Sequence, residues 1–253
     1  MNIVLLMTAC ITPNSTHMLK LVDINARASQ YLKAIQWYFY HTPYNIVFAE
    51  NSQTSLTIPQ KILESDRFEY ISWKEIPEIP DRGKGYKEAK ILEKVIRESV
   101  LYHDADIVVK ITGRLIMTNL VASINSIKHP SRKLLMSNFG WKFMYQDTRF
   151  IIAGKEAFEG LQKANTRIDT ITGMEEAYAA ESRRLIKNDL VHYELSKSLP
   201  KVIGVGGGTA ENYSKRDLKW LKKRLEYKWY YLFHHKTIVQ EIKDSFIEDG
   251  IKK

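Results

Sequence analysis

Short, densely apolar runs alternate with stretches whose apolar positions recur every three or four residues, and this alternation begins at the first residues of the chain. Residues 3–9 are apolar at every position but Thr8, which predicts a strand buried on both faces. Residues 25–41 place Tyr31, Ile35, Tyr38 and Phe39 on one helical face, and 45–49 read as a second strand. A short strand at 68–73 is followed by a loop broken by Pro77, Pro80, Gly83 and Gly85. Ala89, Leu92, Ile96 and Val100 then mark a helix over 87–102, and a β-branched strand at 106–111 ends in Thr112-Gly113-Arg114. Beyond it the pattern predicts helices at 120–127, 155–164 and 174–186, strands at 133–137, 149–153 and 201–205, and a basic helix from 214 to about 235. Such alternation predicts an α/β/α sandwich with a mostly parallel central sheet, closed by a basic amphipathic C-terminal helix.

Composition fits one core of moderate size: of 253 residues, 44% are hydrophobic and 26% charged. We expect a main domain over 1–213 and a helical extension over 214–253. No run approaches the roughly 18 apolar residues of a membrane span, the start lacks a basic leader, and Cys10 is the one cysteine, which excludes an internal disulfide. The expected location is therefore cytoplasmic. The net charge of +9 is uneven, since 215–236 carries eight Lys or Arg against Asp217 and Glu226. Trp220, Tyr227, Trp229, Tyr230, Tyr231 and Phe233 lie among these cations, a mixture that suits an anionic membrane surface at the inner face of the cell membrane. A nucleic acid uses the same residue types, but the rest of the chain is nearly balanced in charge and holds no nucleic-acid motif.

In parallel α/β sheets, ligands bind beyond the carboxyl ends of the strands. The loops expected there hold Thr8 and Thr12, then Glu50-Asn51-Ser52, then Lys84-Gly85, then Lys110, Thr112, Gly113 and Arg114. Hydroxyls and amides suit a base and ribose, while fixed cations suit a diphosphate. Taken singly, each is an ordinary turn or a solvated charge; together at one edge they predict a nucleotide-diphosphate site. The glycine run Gly206-Gly207-Gly208-Thr209 does not open a βαβ unit, so we read Gly207, Gly208, Thr209 and Tyr213 as a flexible flap over donor or acceptor.

These motifs, with the opening Ile-Val-Leu-Leu-Met-Thr-Ala-Cys-Ile-Thr-Pro-Asn, the stretch Asp23 to Ile35 that contains Arg27, Gly83-Lys84-Gly85-Tyr86-Lys87-Glu88 and Asp106 to Arg114, resemble bacterial GT-A glycosyltransferases of capsule and O-antigen synthesis. The nearest resemblance is to galactofuranosyltransferase domains, and it covers the first two thirds of the chain. It implies transfer of a sugar from a UDP-sugar donor to a hydroxyl of a growing surface glycan, on an acceptor that a membrane lipid could carry, with Arg27 among the donor-binding residues. By the same resemblance Glu175, or its neighbour Glu176, is the general base of an inverting reaction. The letters of an Asp-x-Asp metal motif occur at Asp104-Ala105-Asp106, but before their strand, about 20 Å from the expected site. Lys110 and Arg114 stand where the metal motif belongs, so transfer without a divalent metal is expected. A non-catalytic subunit of a polysaccharide assembly complex is the remaining alternative.

Overall fold

The computed structural model describes residues 1–13, 19–76, 78–208, 210–215 and 217–250. In chain order the elements are β1 (Ile3–Ala9), α1 (Ile24–His41), β2 (Asn45–Glu50), α2 (Gln60–Leu63), β3 (Phe68–Ser72), α3 (Lys84–Glu98), α4 (Val100–His103), β4 (Ile107–Thr112), β5 (Ile116–Met117) and α5 (Leu120–Ile124). They continue with β6 (Leu134–Met136), β7 (Phe139–Gly140), β8 (Tyr145–Gln146), β9 (Phe150–Gly154), α6 (Lys155–Leu161), a 3-10 segment (Gln162–Arg167), α7 (Met174–Lys187), β10 (His192–Tyr193), β11 (Val202–Ile203), α8 (Leu218–His234) and α9 (Ile238–Gly250).

Seven strands form one sheet in the order β10-β6-β9-β4-β1-β2-β3. β9 runs against both of its neighbours, and the other pairs are parallel. The period of two divides each central strand between two cores. Ile3, Leu5 and Met7 of β1 pack with Tyr31, Ile35 and Tyr38 of α1 on one face, whereas Val4 and Leu6 pack with Leu92, Val95, Phe158 and Tyr178 on the other. The chain is thus the expected α/β sandwich with a mostly parallel sheet. Ile238 and Ile242 of α9 are buried in the second core, and Lys243 Nζ reaches Asp189 at 2.7 Å.

The short α2, β5, β7, β8 and β10 were not expected from the sequence, and three expected elements change markedly. The helix expected over 87–102 breaks at Ser99, which is extended at φ −82°, ψ 124°. Its Oγ accepts from Tyr102 N at 3.0 Å and donates to Glu69 Oε2 at 2.6 Å, so a cap made from β3 outweighs continuation of the helix. The strand expected over 201–205 shortens to Val202–Ile203 and pairs antiparallel with β5, outside the main sheet. The C-terminal segment forms two helices rather than one, separated by residues 235–237.

Candidate functional site

Parallel pairing aligns the ends of β1, β2 and β4, with Thr8 opposite Ala49 and Thr112, so the loops that follow leave one sheet edge. The first of these loops is held from inside. Arg27 is buried on α1 and donates from Nε to the carbonyls of Cys10 and Ile11, each at 3.1 Å, from Nη1 to the Leu21 carbonyl at 3.0 Å, and from Nη2 to Cys10 O. Glu50 is fully buried and accepts from Ile11 N at 3.0 Å, Ser52 N at 2.9 Å, Ser52 Oγ and Thr54 N at 3.2 Å. Thr12 closes the set, its N donating to Ser52 Oγ at 3.0 Å and its hydroxyl meeting that of Thr54 at 2.7 Å. Asn51 Nδ2 donates to Glu75, while its buried Oδ1 has no partner among the described residues. Thr12, Arg27, Glu50, Asn51 and Ser52 are therefore brought together. Arg27 and Glu50, expected among the donor-binding residues, spend their polar groups holding the loops.

At the end of β4 the cations differ in kind. Lys110 is fully buried, pairs with Glu88 Oε1 at 2.6 Å, and donates to the Thr148 carbonyl at 2.5 Å. Thr8 Oγ1 donates to the same carboxylate oxygen at 2.6 Å. Burial would raise the Glu88 carboxyl, but the Lys110 ammonium beside it prevails and holds it below the usual carboxylate range. Lys110, expected among the donor-binding residues at the place of a metal motif, forms an internal ion pair. Gly113 lies against the Thr8 carbonyl, where an added Cβ would come within 2.7 Å, and its N–H donates to that oxygen at 2.9 Å. No hydrogen bond is made by the Thr112 hydroxyl among the described residues, and Thr112 N donates to Arg149 O at 3.0 Å.

Arg114 is 8% exposed, and its Nη1 donates to the Val205 carbonyl at 2.7 Å. Among the described residues its buried Nε has no hydrogen-bond partner. Beside it lies the glycine run: a Cβ on Gly207 would approach Arg114 Nη2 to 2.5 Å, and the Gly207 carbonyl accepts from Lys20 N and Leu21 N at 3.0 and 3.2 Å. Gly208 follows directly, and Thr209 lies outside the described residues. Tyr213 carries the Arg149 guanidinium over its ring at 4.8 Å, and Arg149 forms a two-pronged pair with Asp147, with contacts of 2.8 and 2.7 Å. Glu88, Asp147, Thr148 and Arg149 were missed by the sequence reading. They arrive on α3 and on the β8–β9 connection, and the only available signal was Glu88 inside the motif around Lys84.

Lys84 is exposed in the first turn of α3, and Gly85 packs against Met174 at the start of α7. Glu175 and Glu176 occupy that first turn of α7, where the helix dipole favours negative charge, and among the described residues neither takes part in a hydrogen bond or ion pair. Tyr145 stands near both: burial, with the charges of Glu175 and Asp147, pushes its hydroxyl up to about 12. Ser182 Oγ donates to Gln146 Oε1 at 2.6 Å and fixes β8 on α7.

The Asp104-Ala105-Asp106 turn lies at the opposite edge, where Asp106 Oδ2 accepts from Asn2 N at 2.9 Å and Asp104 O from Asn2 Nδ2 at 3.1 Å. Both serve strand entry. Among the described residues the carboxylates near the end of β4 include Glu88 and Asp147, each tied to a cation. Among the described residues no cluster of three or more His, Cys, Asp or Glu side chains could hold a metal ion.

α8 is held to the body through Arg224 and Tyr227. Arg224 Nη1 donates to Leu199 O at 3.2 Å, and Tyr227 Oη donates to Ser196 O at 2.7 Å and reaches Asn138 Oδ1 at 3.1 Å. No helix among the described residues is long and apolar enough to cross a membrane.

No family model matches the chain, and no curated protein matches it. Solved structures do resemble it. A nucleotide-diphospho-sugar transferase from Desulfovibrio desulfuricans G20 shares 12% identity over 77% of this chain and 80% of its own, with a TM-score of 0.45. The galactosyltransferase LgtC, in complex with donor and acceptor sugar analogues, shares 10% identity over 77% of this chain and 73% of its own, with a TM-score of 0.38. The glycosyltransferase GlyE of Streptococcus pneumoniae TIGR4 shares 12% identity over 77% of this chain and 44% of its own, with a TM-score of 0.42.

Proposed function

We propose that the chain is a glycosyltransferase that moves a sugar from a UDP-sugar to a hydroxyl of a growing cell-surface polysaccharide, with inversion and without a divalent metal. The observation that carries this reading is Arg114: a guanidinium nine-tenths buried, its Nε without a partner among the described residues, at the sheet edge where the hydroxyl-rich loops meet the glycine run at Gly207. A buried, fixed cation is suited to a diphosphate leaving group, whose charge grows as the glycosidic bond breaks. Thr8, Thr12, Asn51, Ser52, Thr112 and Gly113 line the base and ribose side in this reading, and Lys84 with Gly85 serves the phosphates from α3. In this reading Arg114 takes the place of a metal. Gly207, Gly208, Thr209 and Tyr213 close over donor and acceptor. Glu175 takes the acceptor proton, with Glu176 as the one-residue alternative, because a carboxylate at a helix start, unpaired among the described residues, can accept a proton.

The test is sugar transfer from UDP-hexoses to glycan acceptors, with and without a chelator. Activity survives chelation, and Glu175→Gln lowers turnover by roughly 10²–10⁴ while donor binding stays near wild type. Loss on chelation with recovery on manganese overturns the metal-free step. An unchanged Glu175→Gln with an inactive Glu176→Gln moves the base by one position.

A further inference from the structure

α8 has two stripes, and only one of them meets the body. Trp220, Arg224, Tyr227 and Tyr230 face inward, whereas Leu218, Leu221, Leu225, Trp229, Leu232 and Phe233 face solvent at 48–84% exposure. Their spacing of three and four residues makes this outer row a continuous apolar face, along which Trp229 and Phe233 stack with ring centroids 5.9 Å apart. Lys219, Lys222, Lys223 and Lys228 are exposed beside it, and the acidic residues of the helix and its cap are Glu226, 3.7 Å from Lys222, and Asp217, which caps the first turn.

We infer that this outer face of α8 docks the protein on an anionic membrane surface, with the leucines and Trp229 entering the headgroup layer and the lysines meeting lipid phosphates. Charge decides between occupants. A second copy of the helix would bring two lysine rows together, and a nucleic acid would leave the leucines nothing to bury against. An anionic lipid surface satisfies both parts of the face at once.

Topology adds the direction of approach. β6 runs antiparallel to β9, and β9 antiparallel to β4, so the carboxyl end of β6 lies at the same sheet edge as Thr112. Tyr227 and Arg224 anchor α8 to Asn138, Ser196 and Leu199, on the segments that leave β6 and β10 at that edge. A membrane bound through the outer face therefore lies toward the edge that holds Arg114, where an acceptor carried on a lipid would be within its own plane of diffusion. The docking itself does not depend on the transfer reading.

The experiment is cosedimentation of the full chain with vesicles of phosphatidylcholine alone or mixed with phosphatidylglycerol, at low and high salt, with Trp229 emission and its quenching by brominated lipid recorded in parallel. Binding to mixed vesicles at low salt, release at high salt and quenching that disappears in Trp229→Phe are expected. Leu225→Ser with Trp229→Ser, and separately Lys219, Lys222, Lys223 and Lys228 to Ser, each lower partitioning at least tenfold; all six positions are exposed, and circular dichroism checks the fold. An intact chain that ignores anionic vesicles at low salt, or that sediments with Trp229 unquenched, overturns the inference. So does a dimer, measured by analytical ultracentrifugation, that the leucine and tryptophan variant dissociates. Stabilisation by UDP is measured on the same variants, and its absence there counts against the transfer reading alone.

Discussion

Lys110 stands at a strand end where a free cation is expected, yet its ammonium is sealed between Glu88 and the Thr148 carbonyl. A lysine at the end of a buried strand is legible from sequence. Its partner is not, because Glu88 reaches it only through the crossing of α3 over β1 and β4. Such a pair is costly to break singly: Lys110→Met should destabilise the fold by about 1–3 kcal/mol by leaving a part-buried carboxylate without its cation, and Lys110→Met with Glu88→Leu should recover much of that loss in urea melts. Its pH dependence follows in sign. The folded carboxyl of Glu88 lies below its ordinary value, so the pair's contribution is complete above the unfolded pKa near 4.5 and is lost as pH falls through the lower folded value. Glu75 runs the other way. Burial raises its carboxyl, so its contribution is present below the unfolded value and is lost as pH rises through the folded one. Urea midpoints between neutral and strongly acidic pH should therefore fall less steeply in Glu88→Gln than in wild type, and an unchanged acid limb contradicts the assignment to Glu88.

Among the elements, periodicity located nearly every strand and helix of the sheet but not the tertiary choices at their ends. The break at Ser99 depends on Glu69 two elements earlier, and the departure of β11 from the main sheet depends on β5, a two-residue partner too short to show a period. α8 makes the same point differently. Both of its faces carry apolar side chains at helical spacing, so the sequence shows an amphipathic helix without showing which face is inside. The junction of β1 and β4 gives an element-scale prediction. Gly113→Ala places a Cβ 2.7 Å from the Thr8 carbonyl, a backbone atom that cannot yield cheaply. A loss of about 1–3 kcal/mol with a lowered melting temperature is expected, and a variant as stable as wild type means the two strand ends are not held at this spacing.

For the whole molecule, the alternation of strand and helix was enough to give the layered α/β architecture and the edge at which polar loops gather. The reversed β9 was not foreseen, although its connection from β6 through the short β7–β8 hairpin contains no crossover helix and so fits an antiparallel return. That reversal brings Thr148 and Arg149 to the edge shared with Thr112, where the Thr148 carbonyl meets Lys110 and the Arg149 guanidinium pairs with Asp147. The site is thus a property of sheet order rather than of any one motif.

The central claim is that this edge holds a nucleotide diphosphate through Arg114. Its most direct test is the stability of the full chain with uridine diphosphate, for wild type and Arg114→Ala. At about 100 times its dissociation constant the ligand should add about 2.7 kcal/mol to the wild type, a gain that Arg114→Ala should abolish or greatly reduce. If no nucleoside diphosphate at millimolar concentration shifts the wild-type melting temperature, or if Arg114→Ala responds as the wild type does, the account is contradicted.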